Sequence, residues 1–341
     1  MAHMVPNCVN VWLGDKAKMK KPNMTELVRV VDFFVFPLLV LAALPLKLYR
    51  KVGSARMPRT TRHLQKAGVF PIRDHYYEPQ FRFDEELNAG KQRRKLPGID
   101  LRRSEQLELL QHLDYVDDFD AFLNEQEYVE GLSRFEIENG SFETGDAEFL
   151  FSFVRYLKPM IVVEIGCGSS TKIIQAALKM NERSGGAAAR HICIEPFEMP
   201  WLEDFPGIEL VRERVESTDL SHITELLSPG DLLFIDSSHI IRPNGDVLTE
   251  YLEIVPALRS GVNVHVHDIF TPNHYPDSWL RKNVRFWNEQ YLLEALLSNN
   301  PSFTVVAALN YLKHNEFESM KRICPGLTIQ QEPGSFYFRV N

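Results

Sequence analysis

The stretch Val162-Val163-Glu164-Ile165-Gly166-Cys167-Gly168-Ser169-Ser170-Thr171 is an apolar run that enters two closely spaced glycines and leaves them on small hydroxyl residues. It predicts a strand, a tight turn and a helix start. Further on, His191-Ile192-Cys193-Ile194-Glu195 predicts a second strand that ends on an acid. Two such strand ends side by side make a site for a nucleoside-containing cofactor. The glycines let the backbone approach the ligand, and the acid takes the ribose hydroxyls.

The pattern around this pair alternates. Gly145 opens it, with Asp146 as a helix cap and Pro159 as a stop after about Leu157. Strands are predicted at Met160–Ile165, His191–Glu195, Ile208–Arg212, Asp231–Asp236, Gly261–His267, Phe303–Ala308 and Ser335–Val340. Helices are predicted at Ser170–Met180, Leu220–Leu227, Asp246–Leu258 and Arg285–Ser298, with Asp268–Trp279 as a loop. Short apolar strands separated by helices imply an α/β, Rossmann-like, mostly parallel sheet covered on both faces. Upstream, Leu101–Asn124 reads as one or two helices, and residues 5–100 as a Pro- and Arg-rich, partly irregular extension. The expected organisation is therefore 1–100, a basic N-terminal extension; 101–140, a helical connection; and 141–341, the cofactor domain.

Charge divides along the same line. Residues 1–103 carry 20 Lys+Arg against 9 Asp+Glu, leaving 18 basic and 37 acidic residues for the rest of a chain with net charge −8. An acidic body argues against nucleic acid as a partner. The four cysteines form no CxxC pair, which fits reduced thiols and a cytoplasmic body. The extension contains Phe33–Leu46, FFVFPLLVLAALPL, uncharged and broken by Pro37 and Pro45. With Arg29 and Asp32 ending it upstream, such a helix is about 21 Å long, short of the roughly 30 Å hydrocarbon core. No acid occurs from Phe33 through Arg73. Residues 27–66 thus read as a peripheral contact with an anionic membrane surface, as a greasy helix that packs on the domain or in a homodimer, or, third, as a cleaved signal peptide, for which no small-residue cleavage site is evident. Phe70-Pro71-Ile72-Arg73-Asp74-His75-Tyr76-Tyr77-Glu78-Pro79 is too aromatic for a free linker, and Tyr76 and Tyr77 are candidate contacts to a substrate.

From about residue 140 the chain resembles the class I S-adenosylmethionine-dependent methyltransferases. Glu164-Ile165-Gly166-Cys167-Gly168 matches their E-x-G-x-G loop, Glu195 their second-strand acid, and Leu232-Leu233-Phe234-Ile235-Asp236 their fourth strand. Gly334-Ser335-Phe336-Tyr337-Phe338 is similar to the hairpin that closes the fold. The resemblance implies seven strands, the last antiparallel, and S-adenosylmethionine as cofactor. Gly166, Gly168 and Ser169 would face its homocysteine end, Glu164 its ammonium, Glu195 its ribose and Glu216 its adenine, with Asp236 beside the methyl group. The third glycine of a dinucleotide fingerprint is replaced by Thr171.

A second cluster points to the acceptor. Asp236-Ser237-Ser238-His239 and His265-Val266-His267-Asp268 end two strands that open onto one crevice. Asp236, His239, His267 and Asp268 are the candidate catalytic residues. Their spacing is similar to that of metal-dependent O-methyltransferases of the catechol and macrolide-sugar types. That implies a divalent metal (Mg, Mn or Fe) on Asp236, His267 and Asp268. His267 stands where those enzymes carry a carboxylate, and imidazole suits iron, zinc or manganese better than magnesium. Without metal, His267 or His239 is the general base. His265 reads as a satisfied core histidine. Tyr275 and Trp279 are candidate substrate contacts, while Phe286, Trp287 and Tyr291 read as packing. The FPIRDHYYEP, DSSH and HVHDIF motifs also resemble those of uncharacterised bacterial proteins of the superfamily. The expected activity is O-methylation of a small-molecule hydroxyl. An iron-dependent oxygenase on the same fold, like the cephalosporin-type hydroxylases, is one alternative; an inactive membrane-surface scaffold is the other.

Overall fold

A computed structural model describes residues 24–73, 77–79, 94–126 and 134–341. The chain forms two compact units, Met1–Arg82 and Phe83–Asn341.

The first unit holds α1 (Met24–Val52), a 3-10 turn (Ser54–Arg56) and α2 (Pro58–Ala67). Helix α1 is longer than the apolar run predicts. Its 29 residues continue through Arg29 and Asp32, whose side chains leave the backbone ladder intact, and through Pro37 and Pro45, each of which removes one ladder hydrogen bond without ending the helix. The helix ends at Gly53, whose φ of 103° only glycine adopts readily.

The second unit is the α/β body. Its elements are α3 (Arg103–His112), α4 (Val116–Glu125), α5 (Asp146–Leu157), β1 (Ile161–Ile165), α6 (Ser169–Arg183), β2 (Arg190–Ile194), β3 (Glu209–Val211), α7 (Leu220–Leu226), β4 (Leu232–Ile235), α8 (Asp246–Thr249), β5 (Asn263–Val266), α9 (Glu289–Leu297), β6 (Phe303–Ala308), α10 (Leu309–Asn315), α11 (Phe317–Ile323) and β7 (Phe336–Val340). They build a seven-stranded sheet in the order β3-β2-β1-β4-β5-β7-β6. Strands β1 to β5 are parallel to one another, and β7 runs antiparallel to both β5 and β6. The expected Rossmann-like, methyltransferase-like sheet is thus present, with the N-terminal helical extension ahead of it. Chain order reverses between β1 and β4, so the crevice at their carboxyl ends is the topological switch point where α/β folds take ligands.

Strand alternation divides the core into two layers. Val162, Leu232, Phe234 and Tyr337 pack with Phe149 and Phe153 on one face. Val163, Ile165, Leu233, Ile235, Val264 and Val266 pack with Tyr251 and Ile254 on the other.

Three local expectations are corrected. Asp146 is the first helical residue of α5, not its cap. Its carboxylate accepts the Gly334 and Ser335 amides at 3.1 and 2.8 Å, while Glu148 reaches back to the Gly145 amide at 2.7 Å. The helix predicted over 285–298 starts only at Glu289. The amides of Asn288 and Glu289 are both bound to the His239 carbonyl, which holds the chain off the helical path until that point. The helix from Asp246 passes into a π turn at Glu250–Ile254.

Candidate functional site

The turn after β1 is fixed by contact. Gly166 has φ 81°, and a Cβ there would lie 1.9 Å from the Asp236 carbonyl oxygen. Only glycine lets the β1 loop pass so close to the end of β4. Gly168 is different: it is extended, and a Cβ would meet nothing nearer than Met199 at 3.8 Å. Gly168 borders a cleft of about 750 Å³ that is also lined by Gly166, Ser169, Glu195, Glu216 and Asp236. That volume is typical of small-molecule and cofactor sites.

Glu195 lines the cleft with its carboxylate turned onto its own loop. Oε1 accepts the amides of Phe197 and Glu198 at 2.9 and 2.8 Å, and Oε2 that of Cys167 at 3.3 Å. A carboxylate has room for about four donors, so Oε2 keeps capacity for a ligand hydroxyl. Glu164, expected at the cofactor's ammonium, does not line the cleft. It is fully buried and bonded to Ser170 Oγ at 2.6 Å and to His191 Nε2 at 2.8 Å. Gln175 binds the Gly207 carbonyl and His191 Nδ1 through the same Nε2, at 2.8 and 3.0 Å. The amide therefore donates to Nδ1, which leaves Nε2–H to donate to Glu164. Glu164 braces the loop from beneath.

The ends of β4 and β5 bring together Asp236, His239 and Asp268. His239 Nε2 lies 3.3 Å from Asp236 Oδ1 and 3.4 Å from Asp268 Oδ2. One ligand atom from each residue falls within 4.8 Å of the others, a grouping able to hold a metal ion. His239 and Asp268 both have φ 60°, a left-handed conformation that costs L-residues energy and recurs at functional sites. The far nitrogen of His239, Nδ1, is bound to Glu289 Oε2 at 2.8 Å, and Tyr251 Oη donates to Glu289 Oε1 at 3.0 Å. This outer carboxylate fixes the ring so that Nε2 faces the two aspartates. The π turn supplies part of that support: it places Glu250 on Ser237 Oγ at 3.0 Å and Tyr251 on Glu289.

His267, expected among the metal ligands, is not in this grouping. It is buried, with Nε2 3.6 Å from Asp268 Oδ1, Nδ1 3.4 Å from Ser335 Oγ, and its ring 4.7 Å from Phe142. His265 lies deeper, stacked on Tyr337 and tilted against Phe234. It is a core histidine but not a satisfied one, since neither ring nitrogen has a hydrogen-bond partner. Burial pushes its pKa well below the usual value, so the ring is neutral.

Electrostatics separates the grouped residues. Burial disfavours charge on His239, but hydrogen bonds to Asp236 and Glu289 and the field of Asp268 outweigh it, and its pKa is raised well above the usual value. Burial acts against ionisation of Asp236 too, yet the neighbouring histidines bring its pKa down. For Asp268 burial wins and the pKa rises.

Beyond Asp268 lies a second chamber of about 340 Å³, lined in part by Ser141, His267, Asp268, Trp279 and Gln331. Trp279 sits on a π turn, Ser278–Lys282. Tyr275, expected as a substrate contact, is 1% exposed, and its hydroxyl accepts the Gln290 amide at 3.1 Å; it is a structural strut. Tyr77 is 80% exposed in the first unit, and Tyr76 lies outside the described residues. Sequence reasoning missed Glu289 and Tyr251. It also read Trp287 as packing, whereas the ring stands 4.3 Å from His239. An acid at Glu289 opening a mostly apolar helix was the available signal.

Residues 163–269 match a family model described as a methyltransferase domain. An uncharacterized protein of Archaeoglobus fulgidus is 29% identical over 169 residues, covering 46% of this chain and 74% of that protein. The crystal structure of an O-methyltransferase from Bacillus cereus in complex with SAH is similar at 14% identity and TM-score 0.35, over 70% of this chain and 91% of that one. Sheet order, glycine turn and family match together give the second unit a methyltransferase-like fold.

Proposed function

We propose that the chain is an S-adenosylmethionine-dependent methyltransferase acting on a hydroxyl of a small molecule. One observation carries the reading: Asp236 belongs both to the glycine-turn cleft and to the Asp236–His239–Asp268 grouping, so donor site and reactive groups share one wall.

When bound, the cofactor supplies an electrophilic methyl group. Glu195, Glu216, Gly166, Gly168 and Ser169 all line the cleft; Glu195 would hold the ribose, Glu216 the adenine, and the glycine turn would follow the amino-acid end. A divalent cation would be held by Asp236, His239 and Asp268 and would lower the pKa of the acceptor hydroxyl. One imidazole and two carboxylates favour manganese, iron or zinc over magnesium. In the metal-free protein the surrounding carboxylates hold the proton on His239 and make it a poor base; for a cation to bind at the site, Nε2 would have to lose its proton, leaving Nδ1–H on Glu289. Trp279 and the second chamber orient the acceptor; holding the two reactants in line is where much of the rate originates.

The oxygenase alternative loses its main support. It required two histidines and one carboxylate, and His267 stands outside the grouping. The scaffold alternative leaves unexplained why left-handed backbone and a buried Glu289 are spent on orienting His239. The reading places the body in the cytoplasm, where the cofactor and reduced thiols coexist. Calorimetric titration with S-adenosylhomocysteine, before and after chelator treatment, tests it. Stoichiometric binding that Glu195→Ala weakens is expected, and absence of binding to the untreated protein would sink it.

A further inference from the structure

Among the described residues one helix, α1, is long and apolar enough to cross a membrane. We propose that α1 spans a lipid bilayer, and that the basic turn and helix after it rest on anionic headgroups at the cytoplasmic face, the side on which the α/β unit follows in the chain.

A helix that lies on a membrane surface needs a polar face. From Phe33 to Leu46 α1 has none. Phe33, Phe34, Phe36, Leu38, Leu39 and Leu41 point all round the axis and are each 63–75% exposed. A helix that is apolar all round belongs in a large core or in lipid, and no residue of the apolar window is buried. A second copy of the helix could cover one side only. Val30–Leu46, between Arg29 and Lys47, is roughly 26 Å long and its uncharged part, Phe33–Leu46, about 21 Å; both are shorter than the hydrocarbon core, a mismatch that local thinning of the bilayer and the long stems of those two cations take up. Asp32 lies within a turn of the same end as Arg29.

The far end is built for an anionic surface. Tyr49, the one buried residue of α1, bonds Thr61 of α2 at 2.7 Å and fastens α2 to the helix end. Helix α2 then shows Arg59, Arg62 and Lys66, all exposed and spaced i, i+3, i+7 on one face. Seven Lys/Arg (47, 50, 51, 56, 59, 62, 66) follow the apolar run against five before it (16, 18, 20, 21, 29). That bias places the following flank inside the cell.

The test uses the full chain expressed in bacterial cells with a C-terminal tag. Membranes are floated so that aggregates are not counted, then washed with alkaline carbonate; spheroplasts are treated with external protease. Full-length chain that resists carbonate and a tag that survives protease are expected. Leu38→Arg/Leu41→Arg should lower the floated fraction by about tenfold or more, with the variant recovered soluble and its thermal unfolding transition intact. Release of the unaltered chain by carbonate, cleavage beyond α1, digestion of the tag, or undiminished flotation of the double variant overturns the proposal.

Discussion

Two glycines in one loop should separate folding from binding. Gly166→Ala forces a left-handed residue and a Cβ against the Asp236 carbonyl. It should cost about 2 kcal/mol or more, read as a lower urea midpoint. Gly168→Ala meets only open cleft, so stability should hold while affinity for S-adenosylhomocysteine falls; an unchanged affinity would remove Gly168 from the site. Glu289 offers a third test. Glu289→Gln keeps the shape of the side chain but loses the charge that orients His239. An outer-carboxylate loss of this kind costs about 10- to 100-fold in metal affinity or turnover. Manganese titration and steady-state kinetics would measure both, and wild-type values would show that Glu289 merely fills the core.

The elements were legible wherever burial on both faces made an apolar run self-evident. Strands β1, β2 and β4 fall within about a residue of their expected bounds. Helices α10 and α11 were not read: each has seven residues, and α10 continues from β6 without a breaker, so period 2 passes into period 3.6 with no punctuation. His239 against His267 was a different failure. Both follow strand ends, and only the left-handed turn at His239 decides which ring faces the aspartates; a sequence does not display that turn. Helix α10 also carries a pH-dependent tie. Burial works against Glu332 ionising, but His314, Lys313 and Asn310 outweigh it and bring its pKa down to about 2. A depressed folded pKa stabilises above the unfolded value near 4.5 and is lost as pH falls from there towards 2. The side chain is 36% exposed, so screening limits the effect to below about 1 kcal/mol. Glu332→Gln should therefore be slightly less stable than the wild type at pH 7. The two urea midpoints should converge by about pH 2; a gap that persists there would assign the effect to packing.

At the scale of the molecule, one edge of the sheet does the organising. β1 and β2 deliver the glycine turn and Glu195, β4 delivers Asp236 and His239, and β5 delivers Asp268, all at their carboxyl ends. Asp236 and Asp268 then stand between the larger cleft and the smaller chamber. This layout makes the two functions separable. On the proposed reading, donor affinity would depend on the β1–β2 side of the edge, and acceptor activation on the β4–β5 side. Chelation should consequently lower methyl transfer by about tenfold or more, while binding of S-adenosylhomocysteine changes little. Manganese should restore the rate better than magnesium, because the set includes an imidazole. A parallel loss of nucleoside binding would mean that the ion, if present, is structural and braces the β4 end. Full activity in the chelated protein would return the proton to a side chain, with Asp236, the carboxylate held ionised beside the cleft, as the group to replace first.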